Sequence, residues 1–202
     1  MKILHLSDTH GKHRELHVLP EADVIVHSGD FTWAGSENEA YDFMDWFCAL
    51  PYRHKLFIAG NHDFCMYGVH TIDGLPSGVH YLCSSGVVVG GLLFYGVPMF
   101  MQDCVDGQYD KRLADISDGV DVLITHNPPF GVLDFSDYGT GTVHYGDTIL
   151  MQKILALRPR CHLFGHNHSI CGIEVHSGIT FSNAAVLDDN YDFVHAPNLI
   201  VV

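Results

Sequence analysis

Short apolar runs recur along the chain, and each run stops at a small cluster of polar residues. The runs are four or five residues long, and glycine or proline follows several of them, which favours buried strands over helices. We therefore predict five strands, at residues 2–6, 23–26, 55–59, 121–125 and 161–164.

Helical patterns lie between some of these runs. Ser36 and Glu39 have the spacing of a capping box, and the apolar stripe of residues 40–50 then ends at Pro51. Asp147 can cap a second helix, in which apolar residues recur at helical spacing before Pro159. Two helices are therefore predicted between strands.

Two other stretches are typical of paired strands. In residues 79–97, two apolar runs flank a Ser-Ser-Gly turn at residues 84–86, which predicts a β-hairpin, and residues 174–186 predict another strand pair. The order favours an α/β (mixed α+β) fold: a mixed sheet, or two mixed β-sheets packed as a sandwich, flanked by helices. We expect a single domain over residues 1–202.

The polar clusters supply chemistry that the strands can bring together. The carboxyl ends of parallel strands meet at one edge of a sheet, where ligands bind. In an extended segment, Asp8 and His10 share one face, as do His166 and His168. Carboxylate, imidazole and amide groups suit borderline and hard divalent metals. The candidate ligands are Asp8, His10, Asp30, Asn61, His126, His166 and His168, with His62 beside them.

The charge balance indicates which kinds of molecule the chain can bind. The chain has 10 basic and 24 acidic residues and a formal net charge of -14, which argues against broad nucleic-acid binding. A small phosphate-ester substrate remains compatible, because divalent metals would add local positive charge. Sixteen histidines are present, and most of them are expected to be ordinary surface or turn residues.

Cysteine usage and hydropathy indicate a compartment. The six cysteines form no CxxC pair, and we expect free, mostly buried thiols in a reducing environment. The apolar run after Met1 is too short for a signal peptide, and no stretch has the length of a membrane span. We therefore expect a cytoplasmic protein without a membrane partner.

Taken in order, the clusters resemble the calcineurin-like metallophosphoesterase family, whose pattern is D-x-H, G-D, G-N-H-D/E, H and G-H-x-H. The chain carries all five, as Asp8-Thr9-His10, Gly29-Asp30, Gly60-Asn61-His62-Asp63, His126 and Gly165-His166-Asn167-His168. The residues around these motifs are similar to those of the small single-domain branch of the family, which includes the metallophosphoesterase-domain proteins and bacterial relatives. Some animal members have glycine where this chain keeps His166, so we expect both metals here.

The resemblance implies a site with two metal ions, of manganese, iron, zinc or magnesium, in divalent or mixed-valence form. One ion would be bound by Asp8, His10, Asp30 and His168, and the other by Asp30, Asn61, His126 and His166. Asp30 would bridge the ions, a metal-bound hydroxide would attack the phosphate, and Asn61 and His62 would contact the substrate. His62 would stay off the metals near the leaving group, as general acid or as a phosphate-orienting group.

Several functions remain open at this point. Hydrolysis of small phosphodiesters such as cyclic nucleotides is favoured, because monoesters usually recruit more cationic side chains than this chain offers. The alternatives are a phosphomonoesterase, a Ser/Thr-type protein phosphatase, a non-catalytic metal-binding interaction scaffold and a purely structural metal site.

Some supporting residues have two interpretations. Asp63 is expected either to position its loop or to polarise His62, and His27 to support the site or pack in the core. His144 could touch substrate, although a capping role fits better. Phe64, Cys65, Tyr67 and Tyr138 could form an apolar wall, although ordinary packing explains each of them more simply.

Overall fold

The computed structural model describes residues 1–137 and 141–202, with the backbone alone for Asp137. One sheet has five strands in the order β13-β1-β2-β3-β4. Strands β1 to β4 are parallel, and β13 is antiparallel to β1. Their bounds are β1 Lys2–Leu6, β2 Val24–His27, β3 His54–Phe57, β4 Val79–Tyr81 and β13 Asn198–Val201.

The second sheet has six strands in the order β11-β12-β10-β7-β6-β5. Its four central strands are parallel, and β5 and β11 are antiparallel at the edges. Their bounds are β5 Ser85–Val89, β6 Leu92–Val97, β7 Val122–Thr125, β10 Cys161–Phe164, β11 Gly172–His176 and β12 Ile179–Asn183. A small antiparallel pair consists of β8 Phe135–Asp137 and β9 Thr142–His144.

The α-helices within the described residues are α1 Glu37–Ala49, α2 Met101–Val105, α3 Gln108–Ala114 and α4 Thr148–Leu157. Short 3-10 helices occupy His13–Glu15 and Phe64–Met66. Ser36 and Glu39 form the expected capping box at the start of α1. The Asp147 carboxylate accepts a hydrogen bond from the backbone N–H of Leu150 and caps α4, as predicted.

Alternation along the strands sorts the core into layers. In β1, Ile3 packs between the sheets with Val122 and Leu163 of the second sheet, whereas Leu4 and Leu6 face the outer cluster that includes Phe43 and Phe47 of α1. Beyond the second sheet, another cluster joins its strands to α3 and α4 through Leu113, Leu150 and Ile154. The predicted fold of two mixed sheets packed together and flanked by helices is confirmed.

The hairpin lies further along the chain than predicted, because its turn is not at residues 84–86. The chain turns at Gly90–Gly91, so the hairpin pairs β5 with β6, whereas β4 joins β3 in the other sheet. Residues 82–84 therefore carry the chain from one sheet to the other, which an apolar pattern does not reveal. The strands β8, β9 and β13 and the helices α2 and α3 were not predicted.

Burial of the thiols also differs from expectation. All six cysteines are free, but Cys83 and Cys161 are the buried ones, while Cys104 is exposed and the rest are half-buried. In the described ranges, no helix has both the length and the apolar character needed to cross a bilayer.

Candidate metal centre

The five polar clusters meet at the carboxyl ends of parallel strands from both sheets. Asp8, His10, Asp30 and His126 are buried there. The remaining candidates, Asn61, His62, His166 and His168, are half-buried, so solvent reaches part of the site. Residues far apart in the chain therefore form one cluster.

The backbone turns sharply at several of these positions. Asp8, His10, Asp30 and His166 have φ angles of 57°, 42°, 55° and 69°, a region that L-residues rarely adopt. Backbone hydrogen bonds hold two of these turns, because Asp8 N donates to Gly29 O at 3.0 Å and His10 N donates to Asp30 O at 3.0 Å. Such conformations cluster at functional sites, where the surrounding structure enforces them.

Two glycines let neighbouring loops approach the carboxylates closely. A Cβ atom added at Gly60 would overlap the side chain of Asp30, and one added at Gly165 would overlap the side chains of Asp8 and Ser7. The glycines in the two motifs are therefore required by the space that the carboxylates occupy.

Backbone N–H groups orient both carboxylates. His166 N donates to the two oxygens of Asp8 at 3.1 and 3.0 Å, and His62 N donates to Asp30 Oδ1 at 2.8 Å. Asp30 Oδ2 lies 3.3 Å from His126 Nε2 and 3.8 Å from His10 Nε2. Asp30 thus lies between His10, which belongs to the first motif, and His126, which follows β7.

Charge interactions offset the burial of these groups. Burial would raise the pKa of Asp8 and of Asp30, but the hydrogen bonds and charges of His168, His126 and His10 hold both below the usual range. Burial would lower the pKa of His126, but the carboxylates of Asp30 and Asp8 raise it to about 9. Burial lowers the pKa of His10 and of His166 to about 4.

Carbonyl oxygens fix the orientation of three imidazole rings. Nδ1 of His126 lies 2.9 Å from Ser28 O, that of His168 lies 3.1 Å from Asp188 O, and that of His62 lies 3.1 Å from Trp33 O. A carbonyl can only accept, so each Nδ1 carries the proton, and in a neutral ring Nε2 is left with a free lone pair. This orientation is the usual support for a metal-ligating histidine.

The arrangement of donor atoms fits divalent cations. In the part of the chain that the structure describes, three groups have donor atoms that all lie within 4.8 Å of one another: Asp8 with His10 and His168, Asp30 with His126 and His166, and His10 with Asp30 and His62. The ion-pair partners that the described residues offer to Asp8 and Asp30 are histidines. Bound cations would compensate the charge of the two buried carboxylates, and the imidazole nitrogens would then coordinate as neutral ligands.

Asp63 positions the loops that carry the candidate ligands. Its buried carboxylate accepts from Asp30 N at 2.9 Å, Gly60 N at 2.8 Å, Thr32 N at 2.9 Å and Thr32 Oγ1 at 2.8 Å. Burial and the neighbouring Asp30 raise the pKa of Asp63 to about 7, against these donors. The observed contacts connect Asp63 to the loops rather than to the His62 ring.

His27 forms hydrogen bonds with two of the loops that carry candidate ligands. Gly29 N donates to its Nδ1 at 3.3 Å, so Nε2 carries the proton and donates to Thr9 Oγ1 at 3.0 Å. Burial lowers the pKa of His27 to about 3, which keeps the ring neutral. It therefore links the loops of the first two motifs.

Sequence reasoning missed the aromatic rings and backbone carbonyls that surround the candidate ligands. The rings of Trp33 and Tyr191 pack against His10 with centroid distances of 6.0 and 5.0 Å, and against each other at 4.5 Å. Trp33 and Asp188 also provide the carbonyls that hold His62 and His168. A backbone acceptor has no signature in the sequence, because every residue has a carbonyl.

The other candidates lie elsewhere or have different partners. His144 is paired with Asp134 at 2.9 Å and packs beside Phe130. Phe64 and Tyr67 are more than half exposed, and Tyr67 packs against Phe100. Tyr138 lies outside the described residues.

Comparisons with known proteins show which family the chain resembles. The sequence model of the calcineurin-like phosphoesterase family matches residues 1–169. A UPF0046 protein of Caenorhabditis elegans is 32% identical over 95% of this chain and 77% of its own length. The human metallophosphoesterase domain-containing protein 1 is 31% identical over 96% of this chain and 69% of its own length.

Solved structures show the same fold at low sequence identity. A crystal structure of a Thermus thermophilus protein has a TM-score of 0.65 and 13% identity, and the match covers 91% of this chain and 88% of that one. The ordered motifs, the family match and the shared fold lead to one conclusion. The chain belongs to the calcineurin-like phosphoesterase family.

Proposed function

We propose that the chain is a dinuclear-metal-dependent phosphodiesterase that hydrolyses small diesters such as cyclic nucleotides. In this proposal Asp8, His10, Asp30 and His168 hold one ion, and Asp30, Asn61, His126 and His166 hold the other. The observation that carries the proposal is the distance between donor atoms. Those of Asp8, His10 and His168 lie within 4.8 Å of one another, and so do those of Asp30, His126 and His166. Asn61 Oδ1 lies 3.1 Å from His126 Nε2, which fits its place in the second group.

Two divalent cations bound there would supply positive charge for the phosphoryl oxygens and activate a water molecule for attack. The protein's own part is to orient and to transfer protons. His62 has a ring nitrogen within 4.8 Å of donor atoms of His10 and Asp30, so it lies beside the position proposed for the first ion. In its protonated form, its Nε2–H would donate to the departing oxygen while Nδ1–H stays bonded to the Trp33 carbonyl.

The cationic side chains favour a diester over a monoester. Arg14 is paired with Asp42, Arg112 with Asp103 and Arg160 with Asp121. Lys12 lies closest to the ligands in sequence, and its amine donates to the Tyr191 carbonyl at 2.6 Å. A diester has one fewer charge than a monoester dianion, so it has less need of extra cations.

A turnover screen tests the proposal. Bis(p-nitrophenyl) phosphate, p-nitrophenyl phosphate, cyclic nucleotides and a phosphopeptide would be offered with manganese, and the metal content of the purified protein measured. We expect faster turnover of the diesters, and loss of turnover by about 100-fold or more in Asp30→Asn with unchanged circular dichroism. Preference for the monoester or the phosphopeptide would contradict the diester assignment.

The same screen separates enzyme from scaffold. Two bound metals per chain without hydrolysis of any ester would favour an interaction scaffold and contradict the proposed catalysis. Elemental analysis would also identify the ions, for which the oxygen and nitrogen donors allow manganese, iron, zinc or magnesium.

A further inference from the structure

The capping box of α1 is connected to the proposed catalytic histidine through the loop that precedes the helix. The half-buried carboxylate of Glu39 reaches beyond the helix end. Its Oε1 accepts from Trp33 N and Ala34 N, each at 3.0 Å. Its Oε2 accepts from Ser36 N at 3.0 Å and from Ser36 Oγ at 2.7 Å.

These bonds fix the peptide that holds His62. The carbonyl oxygen of Trp33 is the acceptor 3.1 Å from His62 Nδ1. On the other side of Trp33, the Thr32 hydroxyl contacts the carbonyl oxygen of His62 at 3.1 Å and the carboxylate of Asp63 at 2.8 Å. Further along the loop, Cys65 N donates to Gly35 O at 3.0 Å. Glu39 is therefore the side chain that holds residues 33 and 34 in place from the helix side.

We propose that Glu39 is a positioning residue for His62, acting through the backbone of Trp33. An ordinary capping box needs Glu39 to accept only from the N-cap residue, whereas here the same carboxylate also accepts from the two residues that precede Gly35. Removal of this carboxylate frees the Trp33 carbonyl, and the His62 ring then loses the bond that sets its orientation and its tautomer. This inference rests on the proposed function, because it assigns His62 to proton donation.

The test compares Glu39→Ala with Ser36→Ala. Both variants remove part of the helix cap, but Ser36→Ala keeps the bonds from Glu39 to Trp33 and Ala34. The substrates are methyl p-nitrophenyl phosphate and methyl phenyl phosphate with manganese. The phenolate leaves less readily than p-nitrophenolate, so its departure depends more on a proton donor.

We expect Glu39→Ala to lower kcat about tenfold for the phenyl ester and less than about threefold for the p-nitrophenyl ester, with KM changed less than about twofold. Glu39→Gln should recover much of the loss, because its amide oxygen can still accept. In a His62→Ala background, Glu39→Ala should cause no further selective loss on the phenyl ester.

A readout without turnover completes the test. In the metal-free protein, ¹⁵N-¹H spectra should show His62 as the Nδ1–H tautomer in the parent and in Ser36→Ala, and as a mixture in Glu39→Ala. Equal effects of Glu39→Ala and Ser36→Ala, or an equal loss on both esters, would overturn the positioning role alone. A parent protein that hydrolyses neither ester would overturn the proposed function, and the inference with it.

Discussion

The ring of His168 is held by the carbonyl oxygen of Asp188, 3.1 Å from Nδ1, with Nε2 facing Asp8 at 3.4 Å. The carboxylate of Asp188 shapes the turn that presents this carbonyl, because it accepts from Asn190 N and Asp192 N, each at 2.9 Å. A side chain that never reaches the site thus determines the direction of a proposed ligand.

Replacement of Asp188 should therefore weaken metal binding. Asp188→Ala frees the turn, and loss of such outer support typically costs 10- to 100-fold in affinity. Manganese titration should show a decrease of about tenfold or more. Asp189→Ala removes the same charge nearby and releases the Ser169 hydroxyl, but it keeps the bonds of Asp188 to Asn190 N and Asp192 N, and we expect less than about a threefold change. Equal losses in the two variants would indicate a charge effect and contradict the positional one.

Gly165→Ala should displace Asp8. The new methyl group would overlap the Asp8 carboxylate and the Ser7 side chain, so the buried strand end must shift. We expect turnover of bis(p-nitrophenyl) phosphate to fall more than about tenfold and stability to fall by about 1–3 kcal/mol. Gly119→Ala provides the control, because Gly119 has a φ of +86° and open space around it. It should lose stability but retain turnover.

Asp63→Asn should destabilise the fold. Four donor contacts converge on the carboxylate, and an amide replaces one acceptor oxygen with an NH₂ group that faces backbone N–H donors. Unsatisfied buried donors cost about 1–3 kcal/mol, so urea denaturation should show a loss in this range. Unchanged stability would mean that the loops do not depend on this carboxylate.

Glu39 should make stability depend on pH in a narrow acidic window. Partial burial would raise its pKa, but hydrogen bonds from Ser36, Ala34 and Trp33 lower it to about 2, against an ordinary value of 4.5. Because the folded-state pKa is the lower one, the stabilisation is complete above pH 4.5 and is lost as the pH falls towards 2. The difference in unfolding free energy between the parent and Glu39→Gln should be constant above about pH 5 and shrink below it.

Ser36→Ala should cost about 1 kcal/mol in stability, as loss of a helix N-cap usually does. Thermal or urea unfolding at pH 7 would measure the cost. A variant as stable as the parent would mean that the bonds of Glu39 to Trp33 and Ala34 carry the cap without the serine.

The sequence predicted the strands that carry the site more reliably than the surroundings of the site. The predicted bounds of the apolar runs that precede Asp8, Asp30 and His126 lie within one or two residues of the observed strand bounds. A buried parallel strand needs a continuous apolar run, which the sequence displays directly. The edge strand β13 was missed: in Asn198–Val201 the exposed residues Leu199 and Val201 are apolar, so hydrophobicity does not separate the two faces.

Buried histidines show the limit of pattern reasoning in another way. His5 follows Ile3 by two residues, so strand alternation alone would place it between the sheets. Its partners, the hydroxyls of Ser182 at 2.8 Å and Ser28 at 2.9 Å, lie 177 and 23 residues away. Burial is thus readable from local alternation, whereas the identity of a distant partner requires the folded chain.

The donor atoms come from both sheets, with Asp8 and Asp30 beyond the ends of β1 and β2 and His126 and His166 beyond β7 and β10. An ion held by Asp30, His126 and His166 would therefore add a link between two layers that apolar packing and a few hydrogen bonds, such as His5 to Ser182 and His126 to Ser28, already join. Binding of such an ion would raise the melting temperature of the protein, and its removal by a chelator would let the two layers separate more easily.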